Sequence, residues 1–311
     1  FKSRAFSHSA IWHIIESDKQ EDFYWQPENA PGYFWFEPPS GKISVFRDEI
    51  FPLAKNQDDE FKIALKVVSH VMDICSGLNQ PGRALKWDSP EGMLSQVKKG
   101  AAANCFHRAI LFSTYLSSLG IKSRLWALEN DNFNAIAHSV NEVYIKSLKK
   151  WVFVDVMFGF YVTEGGYPLS LLELREKLLN GFTDNILVKD IHGEINKSNK
   201  LPLFYSRLVK CIFLRADNDF VNKFNTRYGV FSIFQKYLDK FPDNIRRGLD
   251  YLLGRQDIFV HYVDKFSRTL KLKIIIARIF FYFFIFSLVS TGILLIMLFL
   301  SFLKRYLPVN F

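Results

Sequence analysis

Three residues in the middle of the chain have the types and order needed for nucleophilic acyl transfer: Cys105, His138 and Asp155. In that chemistry a thiolate attacks a carbonyl carbon and a histidine takes and returns the proton. A carboxylate orients the imidazole and stabilises its charged form. Cys105 opens an apolar run through Ala109, Leu111, Phe112, Tyr115 and Leu116 that stops at Gly120. The spacing predicts a buried helix with a glycine C-cap and puts the cysteine in its first turn. Unpaired backbone N–H groups and the helix dipole favour a thiolate there. A lone cysteine at a helix start is more often a small buried residue; the histidine and the aspartate downstream supply the catalytic context.

The elements that must position these residues can be read from the flanking patterns. Residues 123–128, 137–145 and 151–157 read as strands, the last two joined by the basic turn Lys146-Ser147-Leu148-Lys149-Lys150. Side chains alternate faces along a strand, so His138 goes with Val140, Glu142 and Tyr144, and Asp155 with Trp151, Phe153 and Met157. The two faces coincide only if paired residue numbers sum to an odd value, as with Lys146 opposite Lys149. A slip of one residue separates His138 from Asp155. Upstream, Phe61, Leu65, Val68 and Met72 give a helical spacing over 58–75, and Gln80-Pro81-Gly82 breaks the chain. Ser89-Pro90 then opens a short helix ending near Gly100, and Ser170-Leu171-Leu172-Glu173 is a capping box for another. Helices packed on antiparallel strands make this an α+β fold.

Four segments, in order, resemble the transglutaminase-like superfamily. They are Asn104-Cys105-Phe106-His107-Arg108-Ala109, Leu119-Gly120-Ile121-Lys122-Ser123-Arg124, His138-Ser139-Val140-Asn141-Glu142-Val143-Tyr144 and Trp151-Val152-Phe153-Val154-Asp155. The resemblance covers roughly residues 85–180. It implies a papain-like core with Cys105 as nucleophile, His138 as base and acid, and Asp155 as orienter. The chain departs from the common pattern with Ala103 and Asn104 beside the cysteine, Val140 after the histidine and Val156 after Asp155.

Other residues are weighed against plainer roles. His107 lies about 200° around the helix from Cys105 and reads as a surface or packing histidine. Arg124 is a candidate for binding a substrate carboxylate, against a structural ion pair as the commoner use of such an arginine. Trp87 is a candidate oxyanion donor by analogy with aromatic donors in the family, against simple packing; the backbone N–H of Cys105 is the other candidate. The three cysteines, Cys75, Cys105 and Cys211, lack a C-x-x-C pair, so neither a disulfide framework nor a zinc site is expected. There is no D-x-D-x-D-G calcium loop, and no cofactor or metal is expected.

Residues 279–303 form an uncharged run rich in Phe, Ile and Leu, which at 1.5 Å per residue is about 37 Å against a hydrocarbon core of roughly 30 Å. A transmembrane helix over 274–305 follows. The net charge of +9 is concentrated before it: residues 196–273 carry 16 Lys/Arg against 7 Asp, whereas residues 1–195 are net acidic. The basic stretch reads as a juxtamembrane helical region attracted to anionic lipid head groups, and no nucleic-acid-binding motif accompanies it. The positive-inside rule favours a main domain on the cytoplasmic side. The expected organisation is an aromatic-rich extension over 1–57, a catalytic domain over 58–195, the basic region over 196–273 and the anchor. The expected activity is hydrolysis or transamidation of a protein or peptide-like amide. The alternative is a non-catalytic binding module in an envelope or surface-polysaccharide assembly.

Overall fold

The computed structural model describes residues 14–34, 36, 43–76, 85, 89–129, 138–195, 201–216 and 259–306. The chain divides into two compact units, Phe1–Ser267 and Arg268–Phe311.

The first unit is built on one nine-stranded sheet. In chain order its strands are β1 (Ile14–Ser17), β2 (Ser123–Glu129), β3 (His138–Ile145), β4 (Lys150–Asp155), β5 (Phe160–Glu164), β6 (Tyr167–Pro168), β7 (Ile186–Asp190), β8 (Cys211–Arg215) and β9 (Phe259–Tyr262). Their spatial order is β1-β9-β8-β2-β3-β4-β5-β6, with β7 also pairing β5. The β1–β9 pair is parallel and the remaining pairs are antiparallel. Helices α1 (Ser44–Ala54), α2 (Glu60–Ser76), α3 (Pro90–Lys98) and α4 (Cys105–Ser118) cover one face, against Leu125, Val143, Ile145, Val152 and Val154. The other face carries Trp126, Leu128, Val140, Tyr144, Trp151 and Phe153. It packs against Phe23, Trp25 and Phe34 from the N-terminal stretch, α5 (Leu171–Asn180) and α6 (Tyr205–Leu208).

Local sequence explains the element ends. Ser89 accepts from the Gly92 N–H and starts α3 with Pro90 at its first position. Ser170 and Glu173 form a reciprocal capping box at α5. Gly120, after α4, takes a left-handed φ of 76°. The β3–β4 ladder pairs Tyr144 with Trp151 and Glu142 with Phe153, the odd-sum register that puts His138 and Asp155 on one face. Strand β4 stops at Asp155, two residues short of expectation. Asp155 Oδ1 accepts the backbone N–H groups of Met157 (2.8 Å) and Phe158 (3.0 Å), which turns the chain out of the ladder.

Two expected boundaries differ from the structure. The aromatic N-terminal stretch is no separate extension: β1 is an edge strand of the main sheet, and Phe23 is fully buried against Trp126. The stretch 196–273, expected to be a basic helical region, contributes β8 and β9 to that sheet, and the first compact unit runs on to Ser267. Its charge count masked a continuous apolar run, Cys211–Leu214, whose residues are all buried, the signature of a central strand. The helical stretches expected at 231–241 and 244–253 lie outside the described residues, as do Trp35, Trp87 and the break at Gln80-Pro81-Gly82.

The second unit contains the 39-residue helix α7 (Arg268–Tyr306). Its segment Tyr282–Tyr306, 25 residues, is long and apolar enough to cross a membrane. Phe283, Phe286 and Phe299 are among its exposed side chains.

Candidate active site

Cys105 is the first residue of α4. The N-cap is Asn104, whose side chain accepts the His107 N–H at 3.1 Å, while His107 Nδ1 accepts the Asn104 N–H at 3.4 Å. His107 is therefore the reciprocal partner in a capping box rather than a loose packing residue. Burial holds its pKa down to about 4, so the ring stays neutral and can act as this acceptor. The N–H of Cys105 itself has no acceptor within the helix.

Helix and strand are fixed to one another in mid-sheet by Asn141, which is completely buried. Its Nδ2 donates to Ala109 O (3.2 Å) and Ser113 Oγ (3.0 Å), tying β3 to α4 one turn beyond the cysteine. Three residues before Asn141, His138 begins β3. Its Nε2 is 2.8 Å from Asp155 Oδ2, and the Cys105 thiol lies close enough to its ring for each group to shift the other's pKa. With Nε2 on the aspartate, Nδ1 is the nitrogen left for sulfur. The structure thus brings together the three residues that the sequence singled out.

The electrostatics of the site favour a thiolate–imidazolium pair. Burial on its own raises the Cys105 pKa. The hydrogen bond and charge of His138, with the backbone N–H of Ser139, outweigh it and leave the thiol below its ordinary value. Burial on its own lowers the His138 pKa; the hydrogen bonds and charges of Asp155 and Cys105 outweigh that and lift it to about 9. Cys75 is the contrast: burial raises its pKa to about 11 despite the nearby Arg108.

Asp155 has no exposed surface and four donors: the two turn N–H groups on Oδ1, and His138 Nε2 with the Tyr205 hydroxyl on Oδ2. Tyr205 was not anticipated. Nor were Phe158 and Phe204, whose rings stand 5.4 and 5.5 Å from the His138 ring. Tyr205 lies 50 residues beyond Asp155 in a stretch without chemical pattern, and only the fold brings it in.

Arg124 does not reach the site. It is fully buried on β2, with Nε 2.7 Å from Glu142 Oε2 and Nη1 2.7 Å from Phe23 O. Its guanidinium lies 4.2 Å from the centre of the Trp151 ring. A side chain so enclosed cannot bind a substrate carboxylate, and the structural ion pair is the correct reading. Glu142 also accepts from Trp126 Nε1 and from Leu171 N, the first N–H of α5. Trp87, the other oxyanion candidate, lies outside the described residues. Among the described residues no group of three His, Cys, Asp or Glu side chains is placed to hold a metal ion.

A family model for the transglutaminase-like superfamily matches residues 51–156, from the end of α1 through α4 and the β2–β4 strands to Asp155. This part of the chain is a transglutaminase-like domain. Cys105, His138 and Asp155 fall inside the match, whereas Tyr205 and Phe204 fall outside it. Among solved structures, the crystal structure of a "putative protease" from Parabacteroides distasonis matches at 12% identity with a TM-score of 0.26, covering 50% of this chain. This chain accounts for 27% of that protein's chain. None of the curated proteins matches. The sheet that holds the matched stretch is completed by elements on both sides of it, β1 before and β5–β9 after.

Proposed function

We propose that this protein is a membrane-anchored cysteine acyl-transfer enzyme acting on amides. The observation that carries the proposal is the His138 ring bonded to Asp155, Nε2–Oδ2 at 2.8 Å, beside the Cys105 thiol at the start of α4. The Cys105 thiolate adds to the amide carbonyl carbon, forming the C–S bond as the carbonyl π pair moves to oxygen. The Cys105 N–H, which has no acceptor within the helix, donates to that oxyanion. When the oxyanion collapses the C–N bond breaks, and the leaving amine takes the proton from His138. The remaining thioester is attacked by water, giving an acid, or by a second amine, giving a new amide. In either case the now neutral His138 takes the nucleophile's proton and the Cys105 thiolate leaves. Asp155 holds the imidazole in place throughout.

In this reading α7 anchors the enzyme, with Tyr282–Tyr306 crossing the bilayer. Lys265, Arg268, Lys271, Lys273 and Arg278 precede the span and Lys304 and Arg305 follow it. That asymmetry supports contact with anionic head groups on the N-terminal side and a cytoplasmic catalytic unit.

The test is labelling of the detergent-solubilised chain with an acyl-type thiol probe at pH 7, with the labelled residue identified by mass spectrometry. Labelling at Cys105 in preference to the buried Cys75 and Cys211 is expected. Equal labelling of all three, or none at Cys105, would point instead to a non-catalytic module on this fold.

A further inference from the structure

The Asp155 oxygen that holds His138 is shared. Its second donor is the hydroxyl of Tyr205, the first residue of α6, a fully buried side chain. The tyrosine ring is boxed in edge-on by Phe153 and Phe160 at 6.0 and 5.8 Å and stands edge-on to the His138 ring at 5.9 Å. The segment that carries it is clamped from α5. Arg175, also buried, donates from Nε to Val209 O (2.6 Å), from Nη2 to Lys210 O (2.9 Å) and from Nη1 to Asp264 Oδ2 (2.6 Å). Packing of the ring thus helps to hold the hydroxyl on Asp155.

We infer that Tyr205 is a positioning residue of the reaction, which divides the Asp155 Oδ2 charge between two donors and so sets how strongly the carboxylate holds the His138 imidazolium. The inference rests on the proposed acyl-transfer reading and extends it to a residue outside the family match. Among the described residues the titratable groups facing His138 are Cys105 from α4, Asp155 from the end of β4 and Tyr205 from α6, and the uncharged rings of Phe158 and Phe204 stand beside it. A donor on a carboxylate stabilises the ionised form and makes it less basic. With the Tyr205 donor in place, His138 is held in orientation yet gives up its proton to a leaving amine more readily than it would beside an unshared carboxylate. Burial and the Asp155 charge keep the phenol protonated, well above its ordinary pKa, so it remains a donor across the working pH range.

The experiment follows the rate of Cys105 alkylation by iodoacetamide against pH in the detergent-solubilised full chain. The lower inflection reports thiolate formation, and the upper one reports loss of the imidazolium beside it. Tyr205→Phe should move the upper inflection to higher pH, making the imidazolium about three- to tenfold weaker as an acid. In an Asp155→Asn background the same change should have no such effect, since the shared charge is gone. Replacing Tyr205 with 3-fluorotyrosine, whose hydroxyl donates more strongly, should move the inflection the other way, and this holds even if the Phe variant folds poorly. An upper inflection indifferent to both substitutions, or equally sensitive with Asn at 155, makes Tyr205 a packing residue only and overturns the inference. If instead the parent chain shows no activated Cys105 at all, the acyl-transfer reading has failed first.

Discussion

Glu142→Ala is expected to destabilise the first unit by about 3–5 kcal/mol, the cost of removing one partner from a buried ion pair. The carboxylate and the Arg124 guanidinium have no exposed surface. Its removal leaves the guanidinium with Phe23 O and the Trp151 ring but without a counter-charge. It also orphans Trp126 Nε1–H and the Leu171 N–H, buried donors at about 1–3 kcal/mol each, with part recovered if water enters the space. Arg124→Met should cost less, because the stranded carboxylate keeps those two donors and can take up a proton. The changes should be non-additive by at least about 1 kcal/mol in the double variant Arg124→Met/Glu142→Leu. Urea unfolding followed by tryptophan fluorescence measures all three. A Glu142→Ala variant within about 1 kcal/mol of the parent would refute the reasoning. So would an Arg124→Met variant of unchanged stability but altered turnover, which would return Arg124 to the substrate.

Gly159 closes the turn that holds Asp155, at φ 67°, and an added Cβ would stand 2.4 Å from Met72 Sδ. Gly159→Ala should cost about 1–3 kcal/mol in thermal unfolding and slow Cys105 alkylation; Gly165→Ala, at φ 57° in open space, should show the backbone cost alone. His138 binds its proton more tightly folded than unfolded, so its contribution to stability is fully present below about pH 6.5 and is lost as pH rises through about 9. Cys105, held below its ordinary value beside His138, has the opposite linkage, so urea midpoints should stay nearly level between about pH 6.5 and 8.5 in the parent and fall over that range with Cys105→Ala. A chain ending at Ser267 should be released from membranes by a high-salt wash while the full chain stays; a truncated chain that still sediments points to a second membrane element.

The parts of this account that were legible in the sequence are those with short-range signals. Ser89-Pro90, Ser170 to Glu173 and the run from Cys105 to Gly120 each place an element end by local hydrogen bonding, and the structure puts those ends where the residues predict. The odd-sum register was an alternative that the sequence could state but not choose. The five-residue turn resolves it with a 3-10 turn at Lys146–Leu148 and Lys149 at a left-handed φ of 50°, a conformation its residue type does not advertise. What could not be read is long-range. Strands β8 and β9 need partners far away in the chain, and the fully buried pattern of β8 has no alternation to mark it. Tyr205 reaches Asp155 only because α6 packs beneath the sheet, and Arg124 is taken from solvent by Phe23, about a hundred residues upstream.

The central claim, that Cys105, His138 and Asp155 act as one unit, is tested most directly by alkylating Cys105 with iodoacetamide at pH 6. An ordinary thiol with a pKa of about 8.5 is almost wholly protonated there, whereas a thiolate paired with the His138 imidazolium is not. The account predicts rapid reaction of the full chain, a fall on the order of tens-fold for His138→Ala and a smaller fall for Asp155→Asn, with circular dichroism unchanged. A Cys105 that titrates like a free thiol and is indifferent to either substitution would contradict it.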